Sequence, residues 1–533
     1  MYKNFSHNMI MKKNGFIKGA VILIVFNLIG KVVGAVYRIP LANLLGLQGM
    51  GEYQLIFPLY SFLLSVSTSG VPVAISKLVS EYNSQNRVQD SKRLLKSAIL
   101  YLFAISLVCF FIVVFAAKFI AGIQGNLNIY ICYYGIAPAI LFVGLLSVFR
   151  GYFQGNLMMV PTALSGLVEQ IGKLIFGLFF AGRLLPYGVT YGVLGAIIGI
   201  SVSELLALVF IAGYYFISQR KIAKETQREV CSYRVLSRKL LSVALPITFG
   251  GLAYPIVSII DSVLVVNLLM FTGFSSAEAT SLFGLQFGIV DPILNIPIII
   301  AVSVSASILP NISKAVALNG EKEVKDLTER AFQIILSITL ACAVCFVVFG
   351  KQILNFLYFN TLSGEGLITA VKLLFLGCIN LIFLSLVQVS AGILQGLGKH
   401  NVAMKSIVVG AVAKVVLTLV LVSMKDINIY GVMISGGVSY FTVFMINYTN
   451  IKKYSLARIS NVYFNISIQE LFVCVFAFLS NYLFRMIFSD TIALFSAGVV
   501  AIVIFAVTYY ILFMLKDHGK LVSTWLILCF LIW

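Results

Sequence analysis

The sequence predicts an all-α integral membrane protein of about fourteen transmembrane helices. Two parallel six-helix repeats form two lobes, and two extra helices follow at the C-terminus. Three observations carry this reading. Of 533 residues, 60% are hydrophobic and 11% charged, with a mean hydropathy of +1.02, whereas a soluble domain carries about 25% charged residues. Apolar runs of roughly 20 residues, enough to cross a bilayer core of about 30 Å, recur along the whole chain. Segments of the first half return in the second. The first observation alone excludes a soluble enzyme.

The first run, 16–38, follows Met11-Lys12-Lys13 and is too long and apolar for the core of a secretory signal. No small-residue cleavage site follows it, so it is read as helix 1, with Met1 and Met11 both open as the start. Pro40 is expected to bend or stop that helix. Helices 2 to 6 are read at 50–76, 94–117, 128–149, 161–182 and 191–217. A polar stretch with seven basic residues from Arg220 to Lys239 then separates the halves. Helices 7 to 12 follow at 240–269, 282–312, 331–350, 367–392, 402–424 and 430–449, and helices 13 and 14 at 468–488 and 491–514. The tail Leu521–Trp533 is apolar but too short to span, and is expected at the interface. The domains are therefore an N-lobe (1–217), a basic cytoplasmic linker (218–239), a C-lobe (240–450) and an appendage (451–533).

A net charge of +19 would suit a nucleic-acid surface if the charges were gathered on one. They are not. With the N-terminus inside, 28 of the 38 lysines and arginines fall in inner segments, Arg150 among them, and 5 in outer ones. That is the asymmetry of the positive-inside rule. It places both termini in the cytoplasm, makes membrane lipids the surroundings, and removes nucleic acid as a partner.

Pro72-Val73-Ala74-Ile75-Ser76-Lys77 returns as Pro310-Asn311-Ile312-Ser313-Lys314, and Gly151-Tyr152-Phe153-Gln154-Gly155 as Gly392-Ile393-Leu394-Gln395-Gly396. Tyr191-Gly192-Val193 returns as Tyr430-Gly431-Val432, and Lys173 falls on Lys414, all at offsets of 237 to 241 residues. An even number of helices per copy makes the copies parallel, an arrangement known among transporters.

Ionisable groups inside spans cost about 2.5–3.5 kcal/mol each at mid-bilayer, so they face cavities or partners. Lys31 and Arg38 stand two turns apart on one face of helix 1, and Gly30 and Gly34 give that helix a small-residue strip for close packing. Glu169 and Lys173 have the i, i+4 order of a self-paired bridge on helix 5. Glu204, Asp261, Asp291, Lys372 and Lys414 lie on helices 6, 7, 8, 10 and 11. Each has a plainer reading. Glu169–Lys173 can be a neutralised structural pair, Lys372 can snorkel from a helix end, and Arg38 before Pro40 can be interfacial. Pro292 and Pro297 are expected to kink helix 8. The eight cysteines are scattered; Cys342 and Cys345 form a CxxC inside an apolar run without zinc partners, so no metal or other cofactor is expected.

The stretch Gly19 to Tyr82 carries Leu28-Ile29-Gly30-Lys31-Val32-Val33-Gly34, Tyr37-Arg38-Ile39-Pro40 and Leu45-Gly46-Leu47-Gln48-Gly49-Met50-Gly51-Glu52-Tyr53. With Pro72–Lys77 it resembles the polysaccharide biosynthesis proteins of the SpoVB and MurJ kind, flippases for lipid-linked cell-wall precursors. These belong to the multidrug/oligosaccharidyl-lipid/polysaccharide exporter superfamily, and the resemblance extends over essentially the whole chain. It implies that Lys31 stands where a helix-1 cation holds the lipid diphosphate, and that Arg38 lies at or beside a second such position. The helix-2 cation is missing, since Tyr60–Ser65 holds no charge. The acid–arginine pair ahead of a proline on helix 8 is reduced to Asp291-Pro292. Some members bind sodium between helices 7 and 11. Here Asp261 is matched by Lys414, a pairing that would put a tethered ammonium in place of the ion, so Na+ or H+ coupling stays open.

The expected function is a flippase of the bacterial cell membrane that moves a polyprenyl-diphosphate-linked sugar from the inner to the outer leaflet by alternating access. The substrate-binding residues are Lys31, Arg38, Asp291, Glu169 and Lys173, with Asp261 and Lys414 as a coupling network. Cell-wall synthesis machinery is a candidate partner, and no enzyme active site is expected. The first rival is a cation-coupled multidrug extruder, which would want carboxylates rather than a basic helix 1. A membrane glycosyltransferase or polymerase is disfavoured because the outer loops hold only isolated acids (Glu278, Glu365, Asp426, Asp490) and no histidine. A non-transporting assembly factor for wall or spore is opposed by the buried charges.

Overall fold

The computed structural model describes residues 2–68, 70–219, 231–455, 460–487 and 489–510. The tail Leu521–Trp533 and the linker cations from Arg220 to Arg228 lie outside these residues. No strand occurs among the described residues, and every one of the fourteen expected spans meets a helix.

The run Tyr2–Thr68 is helical throughout except at Gly46, where φ 71° and ψ −175° break it. It is therefore two helices, α1 (2–45) and α2 (47–68), the second continuing past Gly70 as Val71–Ser84. Helix 1 was expected to end near Pro40 and instead runs through it. A proline in a helix removes one hydrogen bond and crowds one carbonyl, but the helix breaks where glycine accepts a positive φ without steric cost.

Then follow α3 (Val88–Ile123), α4 (Tyr130–Gly155) and α5, which comprises Met159–Gly172, a widened π turn Lys173–Gly177 and Leu178–Leu184. After α6 (Val189–Gln219), α7 comes in two stretches, Tyr233–Gly251 and Ala253–Phe271. It thus starts inside the segment expected as linker. Helix α8 comprises Ser276–Phe283, a second π turn Gly284–Val290 and Asp291–Ala317. Helix 8 keeps its helical course through Pro292 and Pro297, and the irregularity falls in the π turn before them. The rest are α9 (Glu321–Leu357), α10 (Gly364–Gly396), α11 (His400–Val422), α12 (Tyr430–Ser455), α13 (Ser460–Ile487) and α14 (Asp490–Tyr509). Among the described residues, eleven helical stretches are long and apolar enough to cross a membrane, one of them holding both α1 and α2.

Packing divides the chain into two compact units: Met1–Ile289 with Thr418–Val432, and Val290–Leu417 with Met433–Trp533. Helix α7 belongs to the second copy by sequence and to the first unit by packing. The reason lies in its first stretch. Leu236, Leu240 and Ala244 are buried in one cluster with Val71 and Ile75 of α2 and Leu94 of α3. Gly70 admits the α7 backbone so closely that its N–H donates to Thr248 Oγ1 at 3.2 Å. In the second unit, Phe332 and Ile335 of α9 pack with Ile393 of α10 and Phe444 of α12. Small residues seat the appendage, with Ala477 of α13 and Ala497 and Ala501 of α14 set against Phe349 of α9.

The segment entering α7 is pinned by a buried acid. Asp90, wholly buried in the first turn of α3, accepts from the Cys231 backbone N–H at 2.7 Å and from Arg87 Nε at 2.8 Å. Hydrogen bonds to charged groups are worth about 1.5–3 kcal/mol. Asp90→Asn is therefore expected to lower the thermal midpoint of the detergent-solubilised protein by the equivalent of about 2 kcal/mol. It should also speed maleimide modification at half-buried Cys231, located by peptide mass spectrometry. A variant unchanged in both would show that the clamp holds nothing.

Candidate functional site

The first unit gathers four charged side chains from three helices. Glu169 and Lys173 form the expected bridge one turn apart on α5, with Nζ 2.7 Å from Oε1. A glycine seam brings α6 against the same face. Gly172 packs on Ser203, Gly199 on the backbone of Gly177, and Gly195 on the Phe180 carbonyl. Such seams of small residues let helices in lipid approach closely. The approach sets Glu204 Oε1 3.1 Å from Lys173 Nζ. From α4, Arg150 closes the set: Nη2 lies 3.0 Å from Glu169 Oε2, and Nε donates to Ser165 Oγ at 3.0 Å.

Two anions thus meet two cations, and the set is formally neutral. That is how charges persist in a membrane interior, where an unmatched one is costly. Arg150, counted with the inner segments, turns into the body of the unit. Sequence reasoning noted Glu204 as a charge on helix 6 without placing it beside Lys173. The spacing along α6 carries no signal for it, since Gly195, Gly199 and Ser203 mark the face turned to α5 and Glu204 stands about 100° round from Ser203.

Helix α1 lies on α5 through the strip expected of it, since Gly30 and Gly34 both face the Gln170 side chain. Gln170 in turn donates to Glu169 Oε1 at 2.9 Å. Lys31 is exposed and Arg38 half-buried. Among the described residues neither has a carboxylate within ion-pair distance, in contrast to Lys173 and Arg150. Tyr37 and Tyr53, on α1 and α2, are buried, and the Tyr37 ring rests on Gly177 of α5.

The remaining expected site residues lie elsewhere. Asp261 is buried on the second stretch of α7, next to Ser262, whose hydroxyl accepts from Gln124 Nε2 at 3.1 Å. Asp291 is half-buried where α8 leaves its π turn, and Lys414 is half-buried on α11. None of the three is without a partner. Asp261 belongs to the first unit, and Asp291 and Lys414 to the second.

A sequence profile described as "Polysaccharide biosynthesis protein" matches residues 16–316. The chain is 27% identical over 459 residues to the lipid II flippase MurJ of Bacillus subtilis (strain 168), covering 82% of this chain and 83% of the relative. It is 25% identical over 469 residues to stage V sporulation protein B of the same organism, covering 87% and 89%. Among solved structures, lipid II flippase MurJ in an inward closed conformation superposes with a TM-score of 0.69 at 14% identity, over 93% of this chain and 99% of that one. An inward-facing multidrug resistance MATE family transporter of the MOP superfamily gives 0.63 at 15% identity, over 82% and 98%. These two likenesses show a shared fold.

Proposed function

The chain belongs to the polysaccharide biosynthesis protein family, and on that premise we propose that it is a membrane flippase that carries a polyprenyl-diphosphate-linked sugar from the inner to the outer leaflet. One observation carries the choice of an anion: Lys31 is an exposed cation within a spanning helix, followed two turns later by Arg38, and neither has a carboxylate partner among the described residues. A cation so placed draws its counter-ion from outside the chain. The Arg150–Glu169–Lys173–Glu204 set is neutral in itself, so we assign it to holding α4, α5 and α6 together. This revises the expectation that Glu169 and Lys173 touch substrate. Asp291 is proposed beside the substrate, and Asp261 and Lys414 are proposed to respond to lobe movement.

In this mechanism the diphosphate leaves water and exchanges hydration for the Lys31 ammonium and the Arg38 guanidinium. The polyprenyl tail stays in the bilayer while alternating access carries the headgroup to the outer side. With the cytoplasm negative, an anion moving outward gains about 2.3 kcal/mol per charge at 100 mV. The potential can therefore drive transport without a coupled ion. No covalent bond is made or broken.

The test is flipping of a fluorescent polyprenyl-diphosphate sugar in proteoliposomes. Lys31→Ala and Arg38→Ala are each expected to lower the initial rate at sub-saturating lipid about tenfold, as loss of one charged hydrogen bond implies, while Lys31→Arg keeps most of it. Equal rates in wild type and both alanine variants would move the site elsewhere. Export of organic cations by a folded wild type that moves none of these lipids would replace the flippase by the extruder.

A further inference from the structure

An apolar cleft opens on each unit, and the two stand at corresponding places in the repeat. The first, about 510 Å³, opens between α4 and α6 and is lined by residues including Tyr134, Phe142, Leu194 and Val202. The second, about 250 Å³, opens between α10 and α12 and is lined by residues including Leu376, Phe383, Met433 and Phe441. Phe142 and Phe383, Leu194 and Met433, and Val202 and Phe441 are pairs at the spacing of the repeated motifs. The clefts lie along spanning helices and their lining is chiefly apolar, which suits an acyl chain.

Each cleft also has a lysine toward the end at which its helices begin. At the first, Tyr134 meets Tyr130 edge-on with centroids 5.9 Å apart, and Lys118 Nζ stands 5.3 Å from the Tyr130 ring centroid. At the second, Lys372 is exposed one helical turn before Leu376 on α10. A lysine at the rim of an apolar cleft in a membrane offers its ammonium at headgroup depth while its stem lies on the apolar wall.

We propose that both clefts are binding sites for anionic phospholipid, with one acyl chain in the cleft and the phosphate at Lys118 or Lys372. Lys118 then anchors the headgroup through its ammonium and through the Tyr130 hydroxyl at the membrane interface, where tyrosine is favoured. Lys372 does the same without an aromatic partner among the described residues, so the first site is the more selective. Neither Lys31 nor Arg38 lines either cleft, and the assignment does not depend on the flippase reading.

The full chain reconstituted in vesicles supplies the test. Trp525 and Trp533 are its only tryptophans. With both replaced by phenylalanine, Tyr134→Trp, Phe383→Trp and, as a control on exposed α14 surface, Val503→Trp serve as single reporters. Quenching by phosphatidylglycerol with brominated chains is compared with quenching by phosphatidylcholine brominated likewise. One lysine near the membrane surface is worth about fivefold in anionic-lipid preference. That preference is expected at both cleft reporters and not at the control. Lys118→Glu should abolish it at position 134 alone, and Lys372→Glu at position 383 alone. Equal preference at clefts and control, or a preference that survives reversal of the lysine, overturns the proposal. So does equal quenching by the two lipids at the clefts.

Discussion

Replacing Lys173 by methionine is expected to destabilise the protein by about 3–5 kcal/mol, the cost of breaking a buried ion pair from one side. The side chain is matched in length and keeps its packing, so the effect isolates the charge. Lys173 bridges two carboxylates, Glu169 at 2.7 Å and Glu204 at 3.1 Å. Without it Glu169 keeps Arg150 at 3.0 Å, but Glu204, 2% exposed and with Oε2 already lacking a hydrogen-bond partner, loses its ion partner. The measurement is thermal unfolding in detergent, followed by loss of the monodisperse species. The double variant Lys173→Met/Glu204→Leu should recover much of the loss, because it removes the stranded anion with its former partner. If the double variant is no more stable than the single one, the bridge to Glu204 is not what Lys173 provides.

Gly199→Leu is expected to cost at least about 3 kcal/mol, at or above the usual range for overpacking. A side chain there has nowhere to go, since the Gly199 position meets the backbone of Gly177 rather than the movable end of a side chain. The helices must separate, and separation also lengthens the Lys173–Glu204 contact, so the steric and electrostatic losses fall together. Gly182→Leu, on the same helix pair but with open space around the glycine, is the control and should leave the thermal midpoint nearly unchanged. Equal behaviour of the two variants would show that the seam does not hold α5 and α6 together.

The helices were legible because crossing a bilayer demands a length of apolar chain that composition alone displays. The Glu169–Lys173 bridge was legible because it is local: i, i+4 partners are neighbours on any helix. Glu204 and Arg150 were not, because their meeting with α5 depends on which face of one helix turns to another. Charge spacing along a single helix does not carry that information. The pairing of Arg150 was hidden for a related reason, since a cation near the end of a span reads the same whether it points to water or back toward a carboxylate. The break at Gly46 was displaced from Pro40 because the sequence offers two disruptors, and only backbone geometry selects between them. The packing of α7 with the first unit escaped notice because the repeat is a statement about descent, and contact need not follow it.

The π turn at Lys173–Gly177 leaves a trace in the history of the chain. A π turn closes its hydrogen bond one residue later than an α turn, so it accommodates a single inserted residue without interrupting the helix. The corresponding stretch of the second copy, His400–Val422, is helical without such a turn. Lys173 and Lys414 are 241 residues apart, but Tyr191 and Tyr430 only 239, so the first copy gained, or the second lost, two residues in between. The π turn holds one of them. The wide turn takes up its extra residue within itself, so from that point to the end of the helix corresponding positions of the two copies keep the same face although their offset has changed by one. Selection on the two copies has therefore gone on acting on the same faces, and features still shared by descent in these helices should be sought on both sides of Lys173, at an offset one residue shorter after it.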